Sequence, residues 1–331
     1  MTHTCLVTGG AGFLGSHVAE ELLKNDCSVV ILDDLSGGSV DNVPAAANFE
    51  RGSVLDRPRI EALFERHTFN YVFHLAAYAA EGLSHHIKHF NYQNNMIGSV
   101  NLINAAVNHD VKCFVFASSI AVYGSNQVPM SEALVPQPED SYGIAKYAVE
   151  LEREATRRMF GLNHIIFRPH NVYGPRQNIG DRYRNVVGIF MNQIMLGQPM
   201  TVFGDGLQTR AFSYVGDVAP IIARAVEVPA AYNRVFNVGA DTPCTLNELA
   251  QAVAEAMGVE PRIVHLPSRD EVKHAYSRHD ECLRVFGERR PTPLREGLSE
   301  MARWARRAGP RQSQPFSSIE ITRNLVPSWR S

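Results

Sequence analysis

The chain has little net charge and few cysteines. Its 331 residues include 32 Lys and Arg and 34 Asp and Glu, which gives a formal charge of −2. The chain therefore lacks the excess of basic residues that is typical of nucleic-acid-binding proteins. The five cysteines are odd in number and lack the paired spacing of a metal site or redox motif. We therefore expect reduced thiols, a cytoplasmic protein and no nucleic-acid partner. The cysteines are Cys5, Cys27, Cys113, Cys244 and Cys282.

Long apolar runs are also missing. No stretch approaches the roughly 18 apolar residues that suggest a membrane span, so we expect no membrane partner. The chain reaches its first predicted strand too early for a signal peptide. His85, His86 and His89 lie close together, but no Cys or carboxylate stands at ligand spacing beside them. A polar face is therefore favoured over a metal site, and we expect no bound metal.

The first half of the chain does contain alternating apolar runs and helix-like segments. Repeated βα units of this kind predict an α/β fold, a doubly wound parallel sheet of the Rossmann type. Six predicted strands lie at about residues 5–8, 28–33, 49–53, 71–75, 112–117 and 164–167, with helices at 59–66, 95–107 and 141–160.

A glycine-rich turn follows the first strand. Gly9, Gly12 and Gly15 allow a tight turn and a close backbone approach to a pyrophosphate. The helix that follows directs its free N–H groups at such an anion. The second strand ends in Asp33 and Asp34, about 20 residues further on, where an acid binds the adenosine ribose and repels a 2′-phosphate. Because no Arg or Lys lies near Asp33 in the sequence, NAD is favoured over NADP.

The second half changes character after residue 171, where Pro, Gly and Gln loops separate shorter elements. We predict an NAD-binding domain at residues 1–170, to which the chain returns at about 214–240. A smaller C-terminal substrate-binding lobe occupies 171–310, and 311–331 forms a tail. The tail is either partly disordered or docked through Leu325 and Trp329. Thr245 and Glu248 have the spacing of a capping box before a helix at 246–257.

A tyrosine and a lysine supply the chemistry. Tyr142 and Lys146 are four residues apart and share one face of the predicted helix. A phenol with a pKa of about 10 is a poor base at neutral pH. A nearby ammonium group and a positive nicotinamide ring are expected to lower that pKa. Ser119, at the end of the fifth strand, can hydrogen-bond the same reacting hydroxyl, so Ser119, Tyr142 and Lys146 are the predicted catalytic residues.

Further motifs extend this pattern along the chain. They are Thr8–Gly15, His74–Ala77, the Ser119 strand end, Tyr142 with Lys146, Arg168–Pro175, and Phe203–Gly206 followed by Thr209–Arg210 and Tyr214–Val218. With these motifs the chain resembles the extended short-chain dehydrogenases/reductases from residue 4 to about 305. Within that group it is similar to the NAD-dependent nucleotide-sugar epimerases and dehydratases, of the UDP-glucose 4-epimerase kind.

The resemblance implies NAD as cofactor and a nucleotide-diphosphate sugar as substrate. Arg210 suits the diphosphate because a guanidinium binds such oxygens in pairs. Ser53 stands where family members often have an Asp that contacts adenine. The implied cofactor residues are Gly9, Gly12, Phe13, Leu14, Gly15, Asp33, Asp34, Leu35, Ser36, Ser53, Val54, Leu75, Ala76, Ala77, Asn95, Ala117, Tyr142, Lys146 and His170. The implied substrate residues are Ser119, Tyr142, Asn171, Asn185, Val186, Val202, Phe203, Arg210, Arg269 and Glu271.

The resemblance also narrows the choice of reaction. Related dehydratases carry an Asp-Glu pair just after the catalytic Ser or Thr. Two positions after it, decarboxylases of the family have a Glu and GDP-mannose 3,5-epimerases have a Cys. This chain has Ile120 and Ala121 at these positions, and neither can transfer a proton. Epimerisation at C4 needs no further base, so it is the favoured reaction. UDP-glucose/UDP-galactose is the first choice of substrate.

Several alternatives stay open. UDP-N-acetylglucosamine and UDP-glucuronate are possible substrates. A dehydratase or a GDP-mannose 3,5-epimerase-like enzyme would need an acid or base from elsewhere, such as His170 or Lys88. A non-catalytic NAD-binding sensor is less favoured because Tyr142 and Lys146 are both present. Family analogy implies a homodimer formed through helices at about 96–107 and 147–159.

Overall fold

The computed structural model describes residues 3–125, 127–269, 271–287, 290–313 and 315–329. The strands are β1 (Thr4–Thr8), β2 (Ser28–Asp33), β3 (Asn48–Arg51), β4 (Tyr71–His74), β5 (Cys113–Ala117), β6 (Asn163–Pro169), β7 (Val172–Tyr173), β8 (Met200–Phe203), β9 (Thr209–Ala211), β10 (Ser213–Tyr214), β11 (Arg234–Val238), β12 (Pro243–Thr245), β13 (Ile263–Leu266) and β14 (His274–Ala275). The α-helices are α1 (Phe13–Lys24), α2 (Arg57–Arg66), α3 (Glu81–Ser84), α4 (Lys88–Tyr92), α5 (Gly98–Asn108), α6 (Ser141–Phe160), α7 (Val186–Met195), α8 (Val215–Arg224), α9 (Leu246–Ala256), α10 (Asp280–Phe286) and α11 (Leu294–Ala308).

Seven parallel strands form the main sheet, in the order β3-β2-β1-β4-β5-β6-β11. Its central strands are buried along their length, which explains why they are nearly continuous apolar runs in the sequence. Helices α1, α8 and α10 pack on one face and α2, α5 and α6 on the other. The predicted doubly wound Rossmann-type fold is confirmed.

Several predicted elements agree closely with the structure. Helix α6 spans the predicted residues 141–160, and β11 pairs with β6 where a return of the chain to the sheet is predicted. The Thr245–Glu248 capping box is present at the start of α9. The predicted helix at 95–107 differs, because residues 93–97 form a π-helical turn before α5 begins.

A second hydrophobic core lies beyond residue 171. It is built mainly by α7, α9 and α11, whose apolar faces bury Phe190, Leu249 and Met301. This core carries β8 and β9, which bring residues from the second half of the chain toward the main sheet. We refer to it as the second lobe; the boundaries predicted at residues 170 and 310 stay predictions. Among the helices in the described ranges, none is long and apolar enough to cross a membrane.

Residues 311–313 and 315–329, here called the C-terminal segment, pack on the protein. Leu325 and Trp329 are each 5% exposed and lie in one apolar cluster with Ala80, Leu83 and Ile87. Of the two alternatives for this segment, the structure therefore supports docking. The driving force is burial of large apolar side chains.

Candidate functional site

A cavity of about 1240 Å³ opens at the carboxyl ends of β1, β2, β4 and β5. Ligands of open α/β sheets bind at this edge. Residues from the main sheet, the second lobe and the C-terminal segment all line the cavity wall.

The turn at the cavity edge has no room for a side chain at its positions Gly9 and Gly15. Gly9 has φ +71°, and a Cβ there would lie 2.7 Å from the Ala76 backbone. A Cβ on Gly15 would lie 2.1 Å from the Gly9 carbonyl oxygen. Helix α1 has no side-chain cap, so its first N–H groups are available to an anion. The turn therefore fits the pyrophosphate of a dinucleotide.

Asp33 organises the adjoining loop. Its carboxylate accepts hydrogen bonds from the Ala11 amide (3.0 Å) and the Leu35 amide (2.8 Å). Burial raises the pKa of Asp33, and these backbone bonds oppose that rise.

Most of the predicted cofactor and substrate residues line the cavity, but four do not. Asn95 is buried, and its side chain binds the Tyr78 backbone at both N–H (2.9 Å) and C=O (3.1 Å), which shapes the segment after β4. Ser53 accepts a hydrogen bond from the Leu55 amide. Leu35 and Val202 also lie outside the cavity wall, and the roles of all four residues stay predictions.

The three predicted catalytic residues come together in the cavity. Helix α6 begins beside Tyr142 because the Asp140 carboxylate caps it, accepting from the amides of Tyr142 and Gly143 (2.9 Å each). Ser119 follows β5 and lines the cavity together with Tyr142, close enough for its hydroxyl to influence the pKa of the Tyr142 phenol. The Lys146 ammonium donates to the Ala117 carbonyl (2.7 Å) and lies 5.8 Å from the centre of the Tyr142 ring.

The electrostatics of this trio differ from the sequence-based expectation. Burial raises the pKa of the Tyr142 phenol, Glu81 raises it further, and the Ser119 hydroxyl opposes both effects. Burial also lowers the pKa of Lys146 to about 7, partly countered by Glu150. The expected depression of the Tyr142 pKa by Lys146 is therefore wrong for the protein without cofactor, because burial disfavours both charges.

Glu81 is a cavity residue that the sequence reasoning missed. It opens α3, is exposed, and lines the cavity. Burial and the neighbouring Asp140 raise its pKa to about 7, while Arg210 opposes the rise. No motif or periodicity marks this position in the sequence.

Arg184 is a second missed residue. Its guanidinium lies 4.5 Å from the centre of the Tyr78 ring and pairs with Asp181 at 2.7 Å. It also reaches within 2.9 Å of the place that a Cβ on Gly37 would occupy. The second lobe thus brings a cation to the loop that follows Asp33, which spacing along the sequence does not reveal.

The predicted substrate residues of the second lobe form a charged group on the cavity wall. Arg269 donates to the Glu271 carboxylate (2.9 Å) and lies 4.5 Å from the centre of the Phe203 ring. Arg210 lies 3.8 Å from Glu271. Its guanidinium also donates to backbone carbonyls, among them that of Lys273 (3.0 Å). Asn171, Asn185 and Val186 line the cavity as well.

The two residues named as alternative acid or base groups fit that role poorly. His170 is buried between the Ala211 carbonyl (3.0 Å) and His279 (3.0 Å), and burial lowers its pKa to about 3. It is therefore neutral near pH 7. Lys88 is exposed on α4, away from the cavity wall.

The fold and the site together define an enzyme class with a dinucleotide cleft next to a Ser, Tyr and Lys set. The family model for the NAD-dependent epimerase/dehydratase family matches residues 5–239. The chain therefore belongs to the NAD-dependent epimerase/dehydratase family, and NAD is its cofactor.

Relatives and solved structures agree with this placement. A UDP-glucose 4-epimerase of Mycolicibacterium smegmatis is 32% identical over 91% of this chain and 98% of its own. The structure of a Thermotoga maritima UDP-glucose 4-epimerase with UDP-glucose has a TM-score of 0.88 at 35% identity, covering 92% of this chain and 99% of that one. A Thermus thermophilus UDP-glucose 4-epimerase in complex with NAD has a TM-score of 0.83 at 31% identity, with 91% and 98% covered.

Relatives with other activities are nearly as similar. A UDP-N-acetyl-alpha-D-glucosaminuronate decarboxylase of Bacillus cytotoxicus is 31% identical over 83% of this chain and 87% of its own. Family membership therefore does not by itself select the reaction or the sugar.

Proposed function

We propose that this enzyme epimerises a nucleotide-diphosphate sugar at C4, with UDP-glucose and UDP-galactose as the first substrate pair. The observation that carries the proposal is the meeting of Ser119, Tyr142 and Lys146 beside the dinucleotide cradle. Ile120 and Ala121 line the same cavity and offer no proton-transfer group. Epimerase relatives at about a third identity support the same reaction.

In this proposal Tyr142 takes the proton of the C4 hydroxyl, and Ser119 orients that hydroxyl through its own hydrogen bond. NAD, held by the glycine turn and Asp33, would supply the hydride acceptor and donor and a positive charge that favours the phenolate. Lys146 adds to that charge in its protonated form. Arg210, Asn171 and Asn185 hold the diphosphate, about which the 4-keto sugar turns to present the other face of C4 for reduction. Tyr142 then gives the proton back to the C4 oxygen.

A second candidate is favoured by Glu81. A carboxyl group with a pKa of about 7 that faces the cavity near Tyr142 is suited to a further proton transfer. Dehydration or epimerisation at C3 and C5 would use such a group. Neither His170 nor Lys88 is needed for this alternative.

The test is to incubate the purified protein, without added NAD, with a panel of nucleotide sugars and to identify the products by mass spectrometry and chromatography. UDP-galactose formed from UDP-glucose supports the proposal. Loss of water from any sugar supports the second candidate. A panel without any turnover contradicts both.

Tyr142→Phe separates chemistry from binding. Removing the phenol hydroxyl is expected to lower kcat by at least about 10²-fold, since it removes the proton acceptor. The affinity for UDP-glucose should change little. Near-full turnover by Tyr142→Phe would remove the assignment of this residue.

We also propose a cytoplasmic homodimer. Ile97, Ile144 and Leu151 are large apolar residues exposed on α6 and the turn before α5. Packing of these helices against a second copy would bury them in a four-helix arrangement. Light scattering at micromolar concentration tests this assembly, and a monomer would contradict it. The cysteine pattern favours the reducing cytoplasm.

A further inference from the structure

The C-terminal segment connects both sides of the cavity. On the main-sheet side, the Glu320 carboxylate accepts hydrogen bonds from the amides of His89 (2.8 Å) and Phe90 (2.9 Å) at the start of α4. The Glu320 amide donates to the His86 carbonyl at 2.9 Å. These bonds fix the middle of the segment to the region that follows β4.

Other contacts tie the same segment to the second lobe. Arg311 exchanges two backbone hydrogen bonds with the Asn192 side chain, at 2.8 and 2.9 Å. The Phe316 amide donates to the Tyr183 hydroxyl (2.9 Å). Arg182 donates to the Ser313 hydroxyl (3.0 Å). The segment therefore bridges the two walls between which a ligand would lie.

Trp329 forms part of the cavity wall. Its ring packs edge-on against Tyr183, with centroids 5.4 Å apart, and lies over Gly82, where a Cβ would stand 3.2 Å from the ring. The Arg269 guanidinium lies 5.8 Å from the Trp329 ring centre. Trp329 thus lies between the main-sheet side and a cation of the second lobe.

Arg269 is held by three groups. Glu271 pairs with its guanidinium, and the rings of Phe203 and Trp329 contact it at 4.5 and 5.8 Å. A free arginine side chain samples many rotamers, so ordering it on ligand binding costs conformational entropy. Holding the guanidinium in place beforehand reduces that cost.

We propose that the C-terminal segment completes the substrate site, with Trp329 as a positioning residue that holds Arg269 for the nucleotide-diphosphate end of the substrate. The inference rests on the proposed function for the identity of the substrate. The segment lies outside the family match at residues 5–239. The role follows from its contacts with both lobes and with Arg269.

The experiment measures UDP binding by calorimetry and UDP-glucose kinetics on the NAD-loaded protein. Trp329→Ala is expected to raise the Kd for UDP and the KM for UDP-glucose by about 3- to 30-fold, the range of a partly buried cation–π contact. The kcat should stay within about 2-fold, because Tyr142 and its neighbours are untouched. Trp329→Phe keeps an aromatic face and should restore most of the affinity.

Leu325→Ala is the matched control. Leu325 is buried in the same apolar cluster as Trp329 but lies away from the cavity wall, so its truncation tests docking of the segment alone. We expect a smaller loss of UDP affinity than in Trp329→Ala. In an Arg269→Ala background, Trp329→Ala should have little further effect, because the two residues act as one unit.

Three results would overturn the positioning role. They are an unchanged Kd in Trp329→Ala, an equal loss in Leu325→Ala, and an undiminished Trp329→Ala effect without Arg269. Each of these still leaves wild-type turnover of UDP-glucose in place. A wild-type protein that neither binds UDP nor turns over UDP-glucose instead overturns the proposed function, and the positioning role with it.

Discussion

Replacing Lys146 by methionine should stabilise the protein without cofactor at neutral pH. Lys146 is 2% exposed, and burial lowers its pKa from 10.5 to about 7. In the unfolded chain the same ammonium is fully protonated at pH 7. The difference corresponds to about 4 kcal/mol of folding free energy that Lys146 costs at this pH.

Part of that gain is offset in Lys146→Met. The substitution removes the hydrogen bond from Lys146 to the Ala117 carbonyl, and leaving a buried acceptor unpaired costs about 1–3 kcal/mol. The net expectation is a stabilisation of about 1–3 kcal/mol at pH 7. Turnover should fall sharply, because the ammonium group that α6 places next to Tyr142 is lost.

The sign of the pH dependence provides the sharper test. Because the folded pKa lies below the unfolded pKa, the penalty on wild type is present at pH 7 and shrinks as pH rises toward 10.5. The advantage of Lys146→Met should therefore vanish or reverse by pH 10. Urea unfolding of both proteins, freed of cofactor, at pH 7 and pH 10 measures it. A variant that is less stable at pH 7, or an advantage that persists at pH 10, would refute the reasoning.

Two further substitutions probe the cavity. Glu81→Gln removes a carboxylate that, with a pKa of about 7, is negative above that pH. Because a negative Glu81 would repel the sugar carboxylate, the variant's ratio of kcat/KM for UDP-glucuronate to kcat/KM for UDP-glucose should rise several-fold above pH 7. The ratio should also lose its pH dependence. An unchanged ratio would place Glu81 away from the sugar. Gly15→Ala puts a Cβ 2.1 Å from the Gly9 oxygen, so we expect loss of bound NAD and about 1–3 kcal/mol of destabilisation in thermal unfolding. Gly161→Ala, at an open helix end, should keep its NAD, and NAD retained by Gly15→Ala would contradict the tight turn.

Local sequence signals were sufficient for the fold and for the core of the site. The strands of the main sheet are buried apolar runs. Helix α6 begins at Ser141, directly after its cap Asp140, so Tyr142 and Lys146 share a face as their spacing requires. The glycine turn was predictable because only glycine fits the contacts around Gly9 and Gly15. These features depend on short stretches of chain.

Features formed by distant segments were not predictable in this way. Arg184 reaches the loop after Asp33, and Trp329 reaches Arg269, only through packing of the second lobe and the C-terminal segment. The charge state of Tyr142 and Lys146 depends on burial, which has no local signature in the sequence. Glu81 belongs to no sequence motif, and its pKa is set by the groups that the fold places around it.

Deuterium incorporation tests the central claim most directly. The enzyme is incubated in D2O with UDP-glucose, and the carbon-bound hydrogens of the product are examined by mass spectrometry and NMR. If a hydride leaves and returns at C4 while Tyr142 handles only a hydroxyl proton, UDP-galactose should form without carbon-bound deuterium. Deuterium at C3 or C5, or a product that has lost water, would contradict the account.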